Sequence, residues 1–241
     1  MKKLGIVVAA ATLLAAGQAL AHRNLAEVTV YDRSEGRWLP VYRHEGRAYV
    51  AGKPGHEYQV RVTNRLAEDL LAVISVDGIN VITGQTAHPS QSGYVIAPRG
   101  NLDTNGWRRS LSQTAAFYFT ALPDSYAART DRPDDVGVIG VALYQRKPQP
   151  RPAPSPGISD STSGPQAKSA QERQLGTGHG RHEHSPAMHV TFERATSAPA
   201  QVLTLYYDSR ANLVARGIIR EPIQVAPTPR PFPGFVPDPQ G

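Results

Sequence analysis

Histidines are the residues of this chain with the clearest capacity for chemistry, and three of the eight lie in one short glycine-rich stretch. His179, His182 and His184 fall within residues 178–184, with Glu183 between the last two. Clustered imidazoles bind zinc or copper, and on a strand His182 and His184 would share a face. The spacing is not that of the helical HExxH motif. The favoured alternative is a flexible polar loop that binds metal only adventitiously.

A second candidate metal ligand is His22. If a leader peptide is cleaved after Ala21, His22 becomes the mature N-terminus and offers an amine and an imidazole nitrogen to one metal ion. Such nitrogen ligands suit copper. A copper brace needs a second histidine, which His44, His56 or His88 could supply. The alternative is that a polar residue simply follows a cleavage site.

Polar and aromatic residues between the strongest apolar runs form a candidate binding site. The residues are Trp107, Arg108, Asp124, Ser125 and Tyr126. Loops between strands often carry binding residues, and the sequence places all five in loops.

Two catalytic interpretations of such loops are weak. Asp124 and Ser125 with a histidine such as His88 could imitate a hydrolase triad, but the chain has no GxSxG elbow. Turn capping by Asp124 and Ser125 is the favoured interpretation. Glycines in residues 176–180 resemble a phosphate-binding loop, but a polar stretch precedes them, so nucleotide binding is discounted.

The N-terminus predicts export. Residues 1–21 have Lys2 and Lys3, an apolar core over residues 4–16, and a small-residue cleavage pattern that ends at Ala21. The core is too short for a comfortable membrane span. We therefore expect a cleaved signal peptide, a periplasmic or secreted mature chain, and no membrane span in it.

Composition narrows the function classes. The chain has no cysteine, so an exported form has no disulfides and depends on a hydrophobic core. The net charge is +6, and removal of two leader lysines leaves 6 − 2 = +4. The arginines are scattered, with one close pair at Arg108 and Arg109, whereas nucleic-acid binders concentrate their charge. Nucleic acid is therefore excluded as a partner.

The elements that must position these residues are predicted to be short strands. Residues 70–76 form a nearly continuous apolar run, which predicts a central strand covered on both faces. The Asp77-Gly78 pair after it is typical of a tight hairpin. Residues 57–64 alternate polar and apolar side chains, and residues 136–144 form a second apolar run. Turn residues recur every 8–12 positions, which predicts an all-β, antiparallel, jelly-roll-like sandwich with one short helix after Asp208.

The predicted organisation has five parts. Residues 1–21 are the signal peptide, and residues 22–147 are the main β-sandwich domain. Residues 148–174 are rich in Pro, Ser and Gly and form a disordered insertion. Residues 175–220 add two strands, predicted over residues 188–194 and 201–207, and the short helix to the same sandwich. Residues 221–241 form a proline-rich, extended tail.

Several runs together carry a resemblance: SVDGINVITG, SGYVIAPRG, NGWRRS, AAFYFTALPDSYAART, VGVIGVALY, LGTGHGR and VLTLYYDS. The chain resembles an uncharacterised family of exported proteobacterial proteins from about residue 47 to about residue 219. The resemblance implies export and a shared domain. It implies no activity.

The sequence leaves three classes of function open. The leading hypothesis is a non-enzymatic β-sandwich protein of the cell envelope that binds another envelope component, a protein. The alternative is a periplasmic copper- or zinc-binding protein that uses His22 or the 179–184 stretch. The third is a hydrolase acting on cell-wall material.

Overall fold

The computed structural model describes residues 24–148 and 175–220. Fourteen strands cover about half of these residues: β1 (Ala26–Asp32), β2 (Arg37–Trp38), β3 (Val41–His44), β4 (Arg47–Gly52), β5 (Glu57–Asn64), β6 (Leu70–Val76), β7 (Ile79–Asn80), β8 (Tyr94–Ile96), β9 (Asn101–Thr104), β10 (Gly106–Arg108), β11 (Gln113–Ala121), β12 (Val138–Gln145), β13 (Leu175–His184) and β14 (Gln201–Ser209). Two helices and two 3₁₀ turns complete the set: α1 (Tyr126–Arg129), α2 (Arg210–Ala215), and turns at Leu122–Asp124 and Pro133–Asp135. The signal peptide, His22, most of the insertion and the proline-rich tail lie outside the described residues.

The strands form two seven-stranded sheets. The first sheet runs β10-β11-β5-β1-β2, with β13 paired to β11 and β9 paired to β5. The second runs β3-β4-β14-β12-β6-β7, with β8 paired to β6. The two sheets pack face to face, which confirms the all-β sandwich. One pair, β4 with β14, is parallel, so the sandwich is not purely antiparallel as predicted.

The core between the sheets explains why the alternating and the continuous apolar runs behave differently. In β5, Tyr58, Val60 and Val62 point inward and are fully buried, whereas their neighbours face outward. In β6 both faces are covered, since Leu70 and Ile74 join the main core and Leu71 joins a second cluster on the outer face. The prediction of a central strand covered on both sides is confirmed.

The hairpin after β6 has the predicted turn. Asp77 and Gly78 have positive φ angles of 51° and 69°, which a two-residue turn between twisted strands requires. The turn also has a neighbour that the sequence did not indicate. A Cβ added to Gly78 would lie 2.7 Å from Cβ of Asp135, so glycine is needed here for space as well as for conformation.

The structure has two short α-helices where one was predicted. Helix α2 begins after Ser209, whose hydroxyl accepts from the Asn212 amide at 3.2 Å, and Gly217 with φ +70° follows its end. The expected cap was Asp208; its carboxylate instead accepts from the Ser209 amide. The additional helix, α1, covers only four residues. Its first turn is capped by the hydroxyl of Ser125, which accepts from the amide of Ala128.

The strands that follow the insertion lie in both sheets. β13 pairs with β11 along its whole length, and β14 lies between β12 and β4. Residues 188–194 were predicted as a strand, but they form a largely irregular segment with a single bridge from Arg194 to Arg146. Phe192 of this segment covers the outer apolar cluster of the second sheet. None of the helices in residues 24–148 and 175–220 has the length and hydropathy to cross a membrane.

Candidate functional site

The histidine-rich stretch is a strand, β13, and not the flexible loop that was favoured. Its glycines supply the reason. On the outward face, the ring of Tyr118 lies so close to Gly178 that an added Cβ would fall 2.1 Å from Cζ. A Cβ on Gly180 would lie 2.7 Å from the Ala116 carbonyl oxygen and 3.2 Å from the same ring, and Gly176 lies against the Cβ of Ser125. The glycines therefore serve side-chain packing on an antiparallel pair, and phosphate binding is not needed to explain them.

A β-bulge places all three histidines of β13 on one face. In the register with β11, His184 and His182 lie opposite Gln113 and Ala115, and His179 lies opposite Phe117. One extra residue therefore sits between His182 and His179. Without the bulge, His179 would point to the other side of the sheet from His182. The bulge makes a row of three imidazoles where simple alternation would give two.

This row leaves the core and reaches the surface. Thr177 is fully buried, His179 is half-buried, and His182 and His184 are exposed. The rings of His179 and His182 are 6.3 Å apart and nearly perpendicular. The inward face of β13 thus continues from the sandwich interior to an open edge.

Two of the predicted binding residues adjoin this row. Tyr126, on α1, has its ring 5.4 Å from the ring of His179, and it lies 5.0 Å from the ring of Trp107. Trp107 is buried on β10, directly across from Ala115, and its indole nitrogen has no hydrogen-bond partner in the described part of the chain. The loop assigned to Trp107 is therefore a strand, β10. β10 has only three residues and polar neighbours, so the sequence pattern did not indicate a strand there.

The electrostatic setting of His179 is cationic. Burial lowers the pKa of His179, and the positive charges of Arg109 and Arg129, with His182 nearby, lower it further. Within residues 24–148 and 175–220, neither arginine forms a salt bridge or a side-chain hydrogen bond, and both are exposed. Burial and these neighbouring positive charges therefore disfavour protonation of His179, and neither arginine has a salt-bridge partner among the described residues.

We call this surface the histidine face and define it by Tyr126, His179, His182, Arg109 and Arg129. Two exposed apolar residues extend it. Leu111 is 51% exposed at the tip of the β10–β11 hairpin, and Met188 is 81% exposed. The Leu111 carbonyl accepts from the amide of Ala187 at 2.7 Å, which brings Met188 next to that tip.

The other predicted binding residues have structural roles. Arg108 donates to the hydroxyl of Tyr94 at 3.0 Å and to the carbonyl of Ser185 at 2.5 Å, so it fastens the segment after β13. Ser125 is buried and its hydroxyl accepts from the amide of Ala128, as a helix cap does. Asp124 is exposed in the 3₁₀ turn before that cap.

The triad considered for Asp124, Ser125 and His88 does not form. His88 forms its hydrogen bond with the hydroxyl of Ser90 at 2.7 Å, and no hydrogen bond joins it to Ser125. Ser125 instead caps α1, as the sequence analysis favoured.

The remaining histidines can be placed relative to the metal hypothesis. Among the described residues, the nitrogens of His179, His182 and His184 do not converge as a set within 4.8 Å. His44 lies 3.7 Å from the carboxylate of exposed Glu45. His56 contacts the carboxylate of Asp32, in the one group of three potential ligands that the described residues contain.

The sequence did not reveal a buried polar network beside the histidine row. Thr177 shares hydrogen bonds with the hydroxyls of Tyr58 at 2.5 Å and Tyr207 at 2.6 Å, and its amide donates to Asp77 at 2.7 Å. Tyr207 donates to the same carboxylate. Asp77 has the residue type that a hairpin turn favours, so its type gave no sign of a second role.

Comparisons of the chain with protein-family models, with curated proteins and with solved structures find no match. The resemblance to exported proteobacterial proteins therefore stays a prediction, and the site is interpreted from its own geometry.

Proposed function

We propose that this chain is an exported, non-enzymatic binding protein that recognises a protein of the cell envelope through the histidine face. The supporting observation is that Arg109 and Arg129 stand unpaired beside the half-buried His179 in the described structure. Several other arginines are paired with acids. Arg61 forms a two-pronged pair with Asp103, and Arg33 does so with Glu183.

The composition of the histidine face fits a protein partner. Tyrosine, methionine and arginine are enriched at interfaces, and Tyr126, Met188 and Arg109 supply one of each. Leu111 and Met188 together expose apolar surface at the edge of the cationic area. We therefore infer a partner segment with acidic side chains that pair with Arg109 and Arg129 and apolar side chains that cover Leu111 and Met188.

The same charges weigh against the metal alternative at this surface. Two arginines near His179 repel a metal cation as they repel a proton, and no carboxylate of the histidine face offsets them. A binding role requires no such compensation, because an acidic partner brings the opposite charge.

The experiment is a capture of envelope proteins by the full exported chain and by two charge-reversed variants. The test variant is Arg109→Glu with Arg129→Glu. The control is Arg43→Glu, which changes an exposed arginine of β3 that likewise forms no salt bridge among the described residues. We expect the wild type and the control to recover the same partner and the double variant to lose it. Equal recovery by all three proteins would overturn the proposal.

A further inference from the structure

A second group of functional side chains lies outside the histidine face, on the turns at one end of the first sheet. Asp32 ends β1, Glu35 lies in the turn after it, and His56 immediately precedes β5. Their ligand atoms all lie within 4.8 Å of one another. Nδ1 of His56 is 2.8 Å from Oδ2 of Asp32 and 3.9 Å from Oε1 of Glu35.

The first ligand is held in place by the backbone. Oδ1 of Asp32 accepts from the amides of Ser34 and Glu35, both at 2.9 Å, which leaves Oδ2 directed at His56. The side chain of Asp32 is only 2% exposed. A carboxylate fixed in this way costs little further ordering when it binds a ligand.

The spacing of the three atoms suits a small divalent ion. Zinc bonds to nitrogen and oxygen are about 2.0–2.1 Å, so neighbouring ligands of a tetrahedral ion are roughly 3.3 Å apart. The two observed separations, 2.8 Å and 3.9 Å, bracket that value. One imidazole nitrogen and two carboxylate oxygens also form a donor set that zinc accepts, with water in the fourth position.

Two cationic side chains already contact the carboxylate of Glu35, one at each oxygen. The ammonium of Lys53 lies 3.2 Å from Oε1, the same oxygen that faces His56, and Nε of Arg37 lies 2.5 Å from Oε2. Both cations lower the pKa of Glu35 through hydrogen bonds. Lys53 is 65% exposed, so its side chain is free to move into water when another cation arrives.

We propose that Asp32, Glu35 and His56 form a binding site for a divalent metal ion, zinc by its donor set, and that Lys53 holds the place of the ion when none is bound. The remaining nearby guanidinium does not compete, since Arg33 pairs with Glu183 and Glu57. This site is independent of the histidine face and of the function proposed for it.

The test is a calorimetric titration of the full exported chain with Zn²⁺ alone at neutral pH, with no histidine tag. A His182→Ala background removes competition from the histidine face. In that background, we expect Glu35→Gln to weaken zinc binding by about tenfold or more, as loss of a ligand does. Lys53→Met should tighten it severalfold, because the competing ammonium is gone.

The matched control is Glu45→Gln, which removes another exposed carboxylate beside a histidine, His44. We expect it to leave zinc affinity at the site unchanged. Thermal unfolding of each variant without metal verifies that Glu35→Gln and Lys53→Met still fold. Zinc affinity that is unchanged in Glu35→Gln, or not increased in Lys53→Met, or the lack of any binding, would overturn the proposal.

Discussion

The hydroxyl of Tyr207 donates a hydrogen bond to the carboxylate of Asp77, and it joins the second sheet to the β6–β7 turn inside the sandwich. Thr177 and Tyr58 continue the chain of hydrogen bonds into the first sheet. Burial raises the pKa of both phenols well above the ordinary value. The network therefore contains one group that titrates in a useful range, Asp77, whose pKa burial raises from 3.8 to about 6.

The pH dependence of stability follows from that shift. Because the pKa of Asp77 is higher in the folded state, its contribution is most favourable below pH 4 and is lost as the pH rises towards 6 and above. The rise in the pKa of Asp77 from 3.8 to about 6 corresponds to roughly 3 kcal/mol of unfolding free energy over the full titration.

We expect Asp77→Asn to remove this dependence. Between pH 4 and pH 7, the unfolding free energy of wild type should fall relative to that of the variant by roughly 2 kcal/mol, most of the full linkage. Urea denaturation across that range measures the difference. Parallel pH profiles for the two proteins would show that Asp77 does not titrate in this way.

Gly178 tests the packing of β13. An added methyl group would overlap the ring of Tyr118, so we expect Gly178→Ala to destabilise the fold by about 1–3 kcal/mol. Thermal denaturation of the variant gives the value. The same substitution in a Tyr118→Ala background should cost far less, and an equal cost in both backgrounds would contradict the overlap as its cause.

Four charges on the outer face of the first sheet form a closed ring. Arg33 pairs with Glu183 and Glu57, and Arg181 pairs with the same two acids. Glu183 is only 10% exposed, so its pairs are screened less than those on the open surface. We expect Glu183→Gln to lower stability by about 1 kcal/mol.

The control for the ring is an open-surface pair. Lys147 and Glu193 are 55% and 61% exposed, so Glu193→Gln should change the unfolding free energy by no more than a few tenths of a kcal/mol. Urea denaturation of both variants at two salt concentrations makes the comparison. A larger loss for Glu193→Gln than for Glu183→Gln would show that the ring is not stabilising.

Ser125 separates the hydrolase hypothesis from the capping role. We expect Ser125→Ala to lower the melting temperature, through a loss of about 1 kcal/mol, because the Ala128 amide loses its acceptor. We expect neither the wild type nor Ser125→Ala to hydrolyse peptidoglycan. Hydrolysis by wild type that Ser125→Ala abolishes would revive the hydrolase.

Sequence periodicity predicted the parts of the fold in which side-chain type follows burial. The continuous run of β6 and the alternation of β5 have one explanation, the hydrophobic core, and both predictions hold. β13 was not predicted because several of its positions are glycines. The packing of Tyr118 and Ser125 requires glycine there, and these two residues are distant in the sequence. Strands without large apolar residues carry no periodic signal.

The sequence predicted several residues of the candidate site, but it did not predict how they are arranged in space. Tyr126, His179 and His182 were all singled out, yet a β-bulge that residue types do not announce decides which faces they share. Arg109 and Arg129 became candidates only because neither forms a salt bridge among the residues that the structure describes. A single sequence carries no information on which distant residues lie next to each other.

Site-specific photocrosslinking in the native envelope tests the binding proposal most directly. A photoreactive residue replaces Leu111 on the histidine face in one variant and Val202 of β14 in the other, two apolar positions with similar exposure, 51% and 57%. We predict that the Leu111 variant forms a discrete crosslinked product with one envelope protein and that the Val202 variant does not. Crosslinking to the same protein from Val202 alone, or from neither position, would contradict the account.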